Sequence, residues 1–218
     1  MNRYLIGLDV GTINDWTAVS IIQKYGEWEP VPVRKGLGTT LEDRWCFREY
    51  RLLHLERHLG EPYTEIVRHV QALTAQPRLE GARIVVDGTG VGRPVIDVMA
   101  DLGLKRLTPV IITGGDNVSS SSVHGRMEYR VPKRDLVGTL QVLLQNQELR
   151  IPANLPLRQE LTTELQNFKI KLNAETGHDS YEHWRSSDHD DLVLSVALPL
   201  WYAEKKAAPP VRGANLPI

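Results

Sequence analysis

The chain opens with the stretch YLIGLDVGTINDWTAVSII, Tyr4–Ile22, in which a run of apolar residues stops at Asp9. An apolar run of this kind, bounded by turn residues, predicts a buried strand over residues 4–10. Gly11 then allows a tight turn, and a second β-rich run follows at residues 15–24. An aspartate at the end of such a strand can be a metal ligand, part of a phosphate-binding loop or a turn residue. The sequence pattern of the remaining residues decides among these three roles for Asp9.

Composition places the chain among ordinary soluble domains. Its 218 residues suffice for one domain with a sizeable core, and 41% hydrophobic and 24% charged residues are typical of globular proteins. The net charge of -1 excludes a strongly basic nucleic-acid binder, although a local basic patch remains possible. Cys46 is the single cysteine, which excludes an internal disulfide and fits a reducing cytoplasm. No apolar run reaches the roughly 20 residues of a membrane span, so we expect a cytoplasmic protein with no membrane partner.

The order of the predicted elements favours an α/β domain. Three strands come first and are followed by helices that alternate with strands, a pattern that predicts a mixed β-sheet flanked by helices on both faces. Residues 25–43 predict a hairpin tip or loop before the third strand at 44–56, and the Ser-rich residues 113–125 predict a mobile loop. We assign residues 1–205 to this domain and residues 206–218 to a flexible C-terminal tail.

Carboxylates recur at comparable places in this pattern. Asp9 and Asp87 each end a predicted strand, and Asp190 and Asp191 lie in the first turn of the last helix, where the helix dipole favours anions. Singly, each fits a turn or a helix cap. Together they would gather at the edge where strands end and helices begin, and they would repel unless Mg²⁺ or Mn²⁺ bound between them. Two such ions, about 4 Å apart, can activate a water and stabilise the leaving oxygen in phosphodiester cleavage.

Six segments, in order along nearly the whole chain, resemble the nuclease domain of phage terminase large subunits. Two of them resemble the first and second acidic motifs of that family, and the last resembles its terminal His-Asp-Asp-Leu-Val motif followed by an apolar helix. The segments are GLDVGTINDWTAVSII, LLHLERHLGEPYTEIV, VVDGTGVGRPVIDVM, VPKRDLVGTLQVLLQNQELRIP, LRQELTTELQNFKIK and SSDHDDLVLSVALPLW.

The resemblance implies a ribonuclease H-like fold and a metal-dependent endonuclease that cuts double-stranded concatemeric viral DNA during packaging. It implies two divalent cations, Mg²⁺ or Mn²⁺, held by the triad Asp9, Asp87 and Asp191, with Asp190 as an additional ligand or a helix cap. Leu194 departs from the wider fold, in which many relatives carry another acid one turn later. The implied partners are a small terminase subunit, a portal and an ATPase motor. The sequence lacks a Gly-x-x-x-x-Gly-Lys-Ser/Thr motif, so we expect that motor on another chain or removed from this one.

Basic residues cluster after the Ser-rich segment. Lys133 matches the Val-Pro-Lys segment of the family, and we predict that it contacts the DNA backbone, as do Arg126, Arg130 and Arg134; the alternative is a solvated face. Two further residues have alternative interpretations. Asp15 matches a family acid, but we interpret it as a turn residue. His189 either assists proton transfer or is simply exposed.

Other protein classes account for less of the sequence. A Holliday-junction resolvase would share the fold and metal chemistry but would act on branched DNA as a dimer. Asp-Val-Gly-Thr and DGTGVG resemble the phosphate motifs of actin-like ATPases and sugar kinases, yet that fold needs two domains and leaves the His-Asp-Asp helix unexplained. A non-catalytic DNA-binding or assembly module would not require the set of aspartates described above.

Overall fold

A computed structural model describes residues 4–36, 38–174, 189–205 and 211–212. The strands are β1 Tyr4–Asp9, β2 Thr17–Lys35, β3 Gly38–His58, β4 Arg83–Asp87, β5 Leu107–Thr113, β6 Ser119–Val123, β7 Arg126–Pro132, β8 Leu149–Arg150 and β9 Val211–Arg212. The α-helices are α1 Tyr63–Thr74, α2 Gly92–Asp101, α3 Lys133–Gln145, α4 Arg158–Ala174 and α5 Asp191–Lys205, with a 3₁₀ turn at Pro77–Leu79.

The strands form one mixed sheet in the order β6-β7-β5-β4-β1-β2-β3-β8, and β9 also pairs with β3. The first hairpins are antiparallel, whereas β1, β4, β5 and β7 run parallel to one another. Parallel neighbours need crossover connections, and α2 provides the one between β4 and β5. The predicted mixed sheet is therefore confirmed.

Helices cover both faces of the sheet, as the sequence predicts. Alternate residues of β1 belong to different cores: Leu5 packs with the α3 and α5 cluster, and Leu8 packs with the α1 and α2 cluster. Trp201 of α5 is a large buried side chain of the first cluster, and Met99 of α2 is one of the second. The two-sided burial explains why β1 and β4 are continuous apolar runs.

Helix α5 approaches β1 closely because Gly7 has no side chain. A Cβ atom at residue 7 would lie 1.8 Å from the Ser195 carbonyl oxygen and 2.7 Å from Pro199 Cδ. Pro199 lies inside α5 and has no N–H, so the Ser195 carbonyl loses its usual helical partner. The Ser20 hydroxyl of β2 donates a hydrogen bond to that carbonyl instead, at 2.7 Å. These contacts hold α5 against the sheet and thereby fix the position of its first turn.

Two predicted loops are wrong in part, for the same physical reason. Residues 25–43 continue the β2–β3 hairpin, which is paired from Thr17 and His58 to Lys35 and Gly38. Residues 119–123 form the edge strand β6, paired with β7. Both segments are largely exposed, so their backbone pairs without the apolar alternation that identifies a strand in a sequence.

The predicted tail, residues 206–218, lies outside the described residues except for Val211–Arg212, which pair with Cys46 and Phe47 of β3. Among the helices that the structure describes, none combines the length and apolar character needed to cross a membrane.

Candidate metal centre

Asp9 and Asp87 end neighbouring parallel strands. Leu8 of β1 lies opposite Val86 of β4, so the next residue of each strand is one of the two aspartates. Leu8 and Val86 point into the α1 and α2 core, and alternation therefore turns both aspartates toward α5. Asp9 is only 7% exposed, and Asp87 Oδ1 accepts a hydrogen bond from the Thr89 N–H at 2.8 Å.

Two more carboxylates reach this edge from the N-terminus of α5, where Asp190 precedes the helix and Asp191 begins it. The Asp190 carbonyl accepts a hydrogen bond from the Leu194 N–H at 2.9 Å, and Asp190 Oδ2 lies 2.5 Å from Lys133 Nζ. Asp191 Oδ2 is buried and has no hydrogen-bond partner. His189 Nδ1 lies 3.7 Å from that oxygen, outside hydrogen-bond distance, and the His189 side chain is exposed. Asp190 is thus ion-paired with Lys133, whereas Asp191 Oδ2 makes no hydrogen bond.

Burial raises the pKa values of Asp9, Asp87 and Asp191, and repulsion by neighbouring aspartates raises those of Asp9 and Asp191 further. Burial is the largest cause of the raised pKa of Asp9, and the charges of the other three aspartates raise it further. Burial also raises the pKa of Asp87, against the effect of hydrogen bonds from Thr89. Burial, followed by the charge of Asp190, raises the pKa of Asp191 to about 6. The carboxylates therefore lie close enough to repel one another, and a bound divalent cation would relieve that repulsion.

Glu164 of α4 is a further carboxylate at this site that the sequence analysis does not single out. It is 7% exposed, and it accepts hydrogen bonds from the Val193 N–H at 3.1 Å and from Arg57 Nη1 at 3.2 Å. Val193 lies in the first turn of α5, so Glu164 satisfies a donor that a helix leaves unpaired at its N-terminus. Burial raises the pKa of Glu164 to about 7 against the hydrogen bond from Val193, and the nearby charge of Asp191 adds to the rise.

The aspartate edge suits hard divalent cations. Its donors are carboxylate oxygens, which Mg²⁺ and Mn²⁺ prefer, and the buried, unpartnered oxygen of Asp191 is available as a ligand atom. In the part of the chain that the structure describes, a tight group of ligand atoms within 4.8 Å of one another occurs elsewhere, at Glu56, His58 and His69. Among the described residues, the four aspartates do not form a group as tight as this one.

The structure separates the basic residues that the sequence groups together. Lys133 begins α3 and its side chain is only 15% exposed, so it belongs to the aspartate site and not to an open surface. Arg130 and Arg134 are exposed, and Arg134 Nη1 pairs with Asp116 Oδ1 at 2.7 Å. Arg126 begins β7, and a strand of that length puts it roughly 20 Å from the end that leads into α3. Arg126 therefore does not share the edge of the sheet with Lys133.

Asp15 is a turn residue, as predicted. Its N–H bonds the Thr12 carbonyl at 3.0 Å, and its carboxylate accepts a hydrogen bond from the Thr12 hydroxyl at 2.7 Å. Gly11 makes this turn possible, because a Cβ there would lie 2.3 Å from the Trp16 carbonyl oxygen. The turn follows Asp9 directly and leads into β2.

Comparison with solved structures identifies the fold. The large terminase nuclease from thermophilic phage G20c matches with a TM-score of 0.54 and 19% sequence identity, covering 92% of this chain and 81% of that chain. The same nuclease with bound cobalt matches with a TM-score of 0.54 and 22% identity, covering 90% and 79% of the two chains. The zinc-bound structure of that nuclease matches with a TM-score of 0.50 and 22% identity, covering 92% of this chain and 80% of that chain. No protein-family model and no curated protein sequence matches the chain. The chain therefore shares its fold with the large terminase nuclease of phage G20c, in agreement with the α/β fold predicted from the sequence.

Proposed function

We propose that the chain is a metal-dependent endonuclease that cuts double-stranded DNA, the nuclease part of a viral DNA-packaging terminase. The observation that carries the proposal is the convergence of Asp9, Asp87 and Asp191 at one edge of the sheet, with a buried, unpartnered oxygen on Asp191. The fold shared with the terminase nuclease of phage G20c supports it. In this proposal residues 1–205 form a single nuclease domain.

Each acidic residue then has a distinct role. Asp9, Asp87 and Asp191 would hold two divalent cations, Mg²⁺ or Mn²⁺. When bound, these ions supply Lewis-acid chemistry, activating a water and neutralising charge on the leaving oxygen of the phosphodiester. Asp190 is paired with Lys133, which leaves Asp191 as the main third ligand. Glu164 positions Asp191 by capping the first turn of α5.

Cleavage of plasmid duplex, compared with cleavage of a four-way junction, tests the proposal. We expect the purified chain to cut plain duplex with Mg²⁺ or Mn²⁺ and to stop when a chelator is added. Selective cutting of the junction would instead favour a Holliday-junction resolvase of the same fold. If folded protein supplied with Mn²⁺ cuts neither substrate, the nuclease proposal is wrong.

The packaging context adds partners to the proposal. Double-stranded DNA is the substrate, and a separate ATPase motor, a small terminase subunit and a portal are the proposed assembly partners. ATP hydrolysis for translocation is assigned to the motor.

Lys133→Gln is expected to lower the single-turnover rate of cleavage by about 100-fold, with little change in DNA affinity. The reason is that Lys133 lies inside the site beside Asp190, where its charge would face the reacting phosphate. Arg130→Gln is the matched control because Arg130 is exposed on β7. That variant should weaken DNA binding and reduce the slope of log affinity against log salt by about 1, with little change in rate. Equal loss of rate in both variants would assign Lys133 only a general electrostatic role.

Without divalent cations, the protein should become less stable as the pH rises from about 4 to about 7. The pKa values of Asp191, about 6, and Glu164, about 7, lie above those of unfolded chains. A carboxyl group whose pKa is higher in the folded protein stabilises the fold fully at pH values below its pKa in the unfolded chain. This stabilisation is lost as the pH rises through its pKa in the folded protein. Thermal denaturation in chelator at acidic and alkaline pH measures this loss, and Mn²⁺ should reverse much of it.

Asp191→Asn isolates the contribution of the aspartate site to that pH dependence. The variant removes one of the repelling charges, so its melting temperature should fall less between the two pH values. If the variant and the unmodified chain lose the same stability, the aspartate site is not the cause.

A further inference from the structure

A second group of potential metal ligands lies on the face of the sheet opposite the aspartates. Glu56 and His58 of β3 and His69 of α1 each present one ligand atom, and these atoms lie within 4.8 Å of one another. Glu56 and His58 share one face of β3, since alternation turns the intervening Arg57 to the other face, where it bonds Glu164. The group therefore joins β3 to the helix that covers the α1 and α2 core.

The three ligand atoms lie near enough to one another to surround one ion after small side-chain rotations. Glu56 Oε1 is hydrogen-bonded to His69 Nε2 at 2.5 Å and lies 3.6 Å from His58 Nε2. Ligands at zinc distances in a tetrahedral site lie roughly 3.4 Å apart, so small side-chain rotations would bring the three atoms around one ion. The rings of His58 and His69 are tilted at 58° with centroids 5.0 Å apart, so they are not stacked face to face. His54 Nε2 lies 2.9 Å from the other oxygen of Glu56.

The orientation of His58 points specifically to a ligand. Its Nδ1 lies 3.0 Å from Glu61 Oε1, and its Nε2 is buried and has no hydrogen-bond partner. A carboxylate on Nδ1 holds the proton on that nitrogen, which leaves the Nε2 lone pair directed toward Glu56 and His69. Histidines that bind metals are held by a carboxylate in the same way.

We propose that Glu56, His58 and His69 bind one transition-metal ion of the zinc class, which fastens α1 to β3. Two imidazole nitrogens and one carboxylate oxygen are a ligand set that zinc takes, with a water at the fourth position. Mg²⁺ prefers oxygen ligands alone, so this group and the aspartate edge would select different metals. The inference does not depend on the proposed nuclease function, because it concerns the other face of the sheet.

Zinc titration of a chain carrying Asp9→Asn and Asp87→Asn tests the proposal, because those substitutions disable the aspartate edge. Calorimetry with excess Mg²⁺ present should find one equivalent of Zn²⁺ bound. The double variant His58→Gln, His69→Gln should bind zinc more than about 100-fold more weakly. This loss exceeds the one expected when only a residue that holds a ligand is removed. Glu61→Gln, which removes only the outer-shell partner, should weaken it by about 10–100-fold.

His124→Asn is the matched control for these histidine substitutions. His124 is exposed and has a φ of 48°, a conformation that asparagine tolerates. It lies outside the group, so zinc affinity should not change.

Two readouts do not depend on the histidine variants folding normally. Co²⁺ added to the chain with an intact group should give the visible absorption of tetrahedral nitrogen and oxygen coordination, and Zn²⁺ should raise the melting temperature of that chain. Failure of the Asp9→Asn, Asp87→Asn chain to bind zinc would overturn the proposal. So would zinc binding that is equally tight in the His58→Gln, His69→Gln chain.

Discussion

Asp87→Asn should reduce the metal-dependent cleavage of duplex DNA by about 1000-fold or more. The substitution keeps the size of the side chain and the oxygen that accepts the Thr89 N–H, but it removes the charge that would bind a cation. Cations of this kind stabilise a transition state by several kcal/mol, and each 1.4 kcal/mol or so corresponds to a tenfold change in rate. Asp9→Asn and Asp191→Asn should have effects of the same order, measured as single-turnover rates in Mn²⁺.

Two comparisons make this prediction specific. Asp190→Asn should lower the cleavage rate less than Asp191→Asn does, because Asp190 is already paired with Lys133. Asp101→Asn changes an exposed residue at the end of α2 and should leave the rate unchanged. Retained cleavage in Asp9→Asn, Asp87→Asn or Asp191→Asn would remove that residue from the proposed triad.

Gly7→Ala should destabilise the protein by about 3 kcal/mol or more, because the added methyl group would overlap backbone atoms that cannot easily move. The added Cβ would lie 1.8 Å from the Ser195 carbonyl oxygen, so α5 has to shift away from β1. That shift would break the hydrogen bond from Ser20 and move Asp191 relative to Asp9. For a chain of this size, the melting temperature should fall by about 6–12 °C. Cleavage and metal affinity should fall as well, since α5 begins at Asp191 and follows directly after Asp190.

Gly138→Ala is the matched control for Gly7→Ala. Gly138 lies inside α3, and a Cβ at that position would meet no heavy atom within 4 Å. Alanine favours a helix over glycine by up to about 1 kcal/mol, so this variant should be slightly more stable than the unmodified chain. Similar melting temperatures for the two variants would show that the contact between α5 and β1 is not as tight as described.

The positions of Asp9 and Asp87 at strand ends are the part of the candidate site that sequence reasoning predicts well. Asp9 and Asp87 follow short apolar runs whose strand character is unambiguous, and parallel strands bring their ends to one edge. Asp191 is equally predictable because it begins a strongly apolar helix. These residues depend only on local pattern and on the general geometry of α/β sheets.

Residues brought in by tertiary contacts are harder to predict. Glu164 lies three residues after the buried Leu161, on the apolar face of α4, and an acid in that place is the signal that could have identified it. The role of Lys133 depends on which side of α3 faces α5, which the motif does not specify. His69 reaches Glu56 only because α1 packs on the face of β3 that carries it, so no spacing within the sequence links them.

The central claim is that Asp9, Asp87 and Asp191 hold the catalytic cations, and anomalous diffraction from crystals soaked in Mn²⁺ tests it most directly. We predict anomalous peaks within ligand distance of these three side chains, about 2.0–2.2 Å from their oxygens, and their loss in crystals of Asp87→Asn. No peak at this edge in well-soaked crystals, or Mn²⁺ bound only at Glu56, His58 and His69, would contradict the claim.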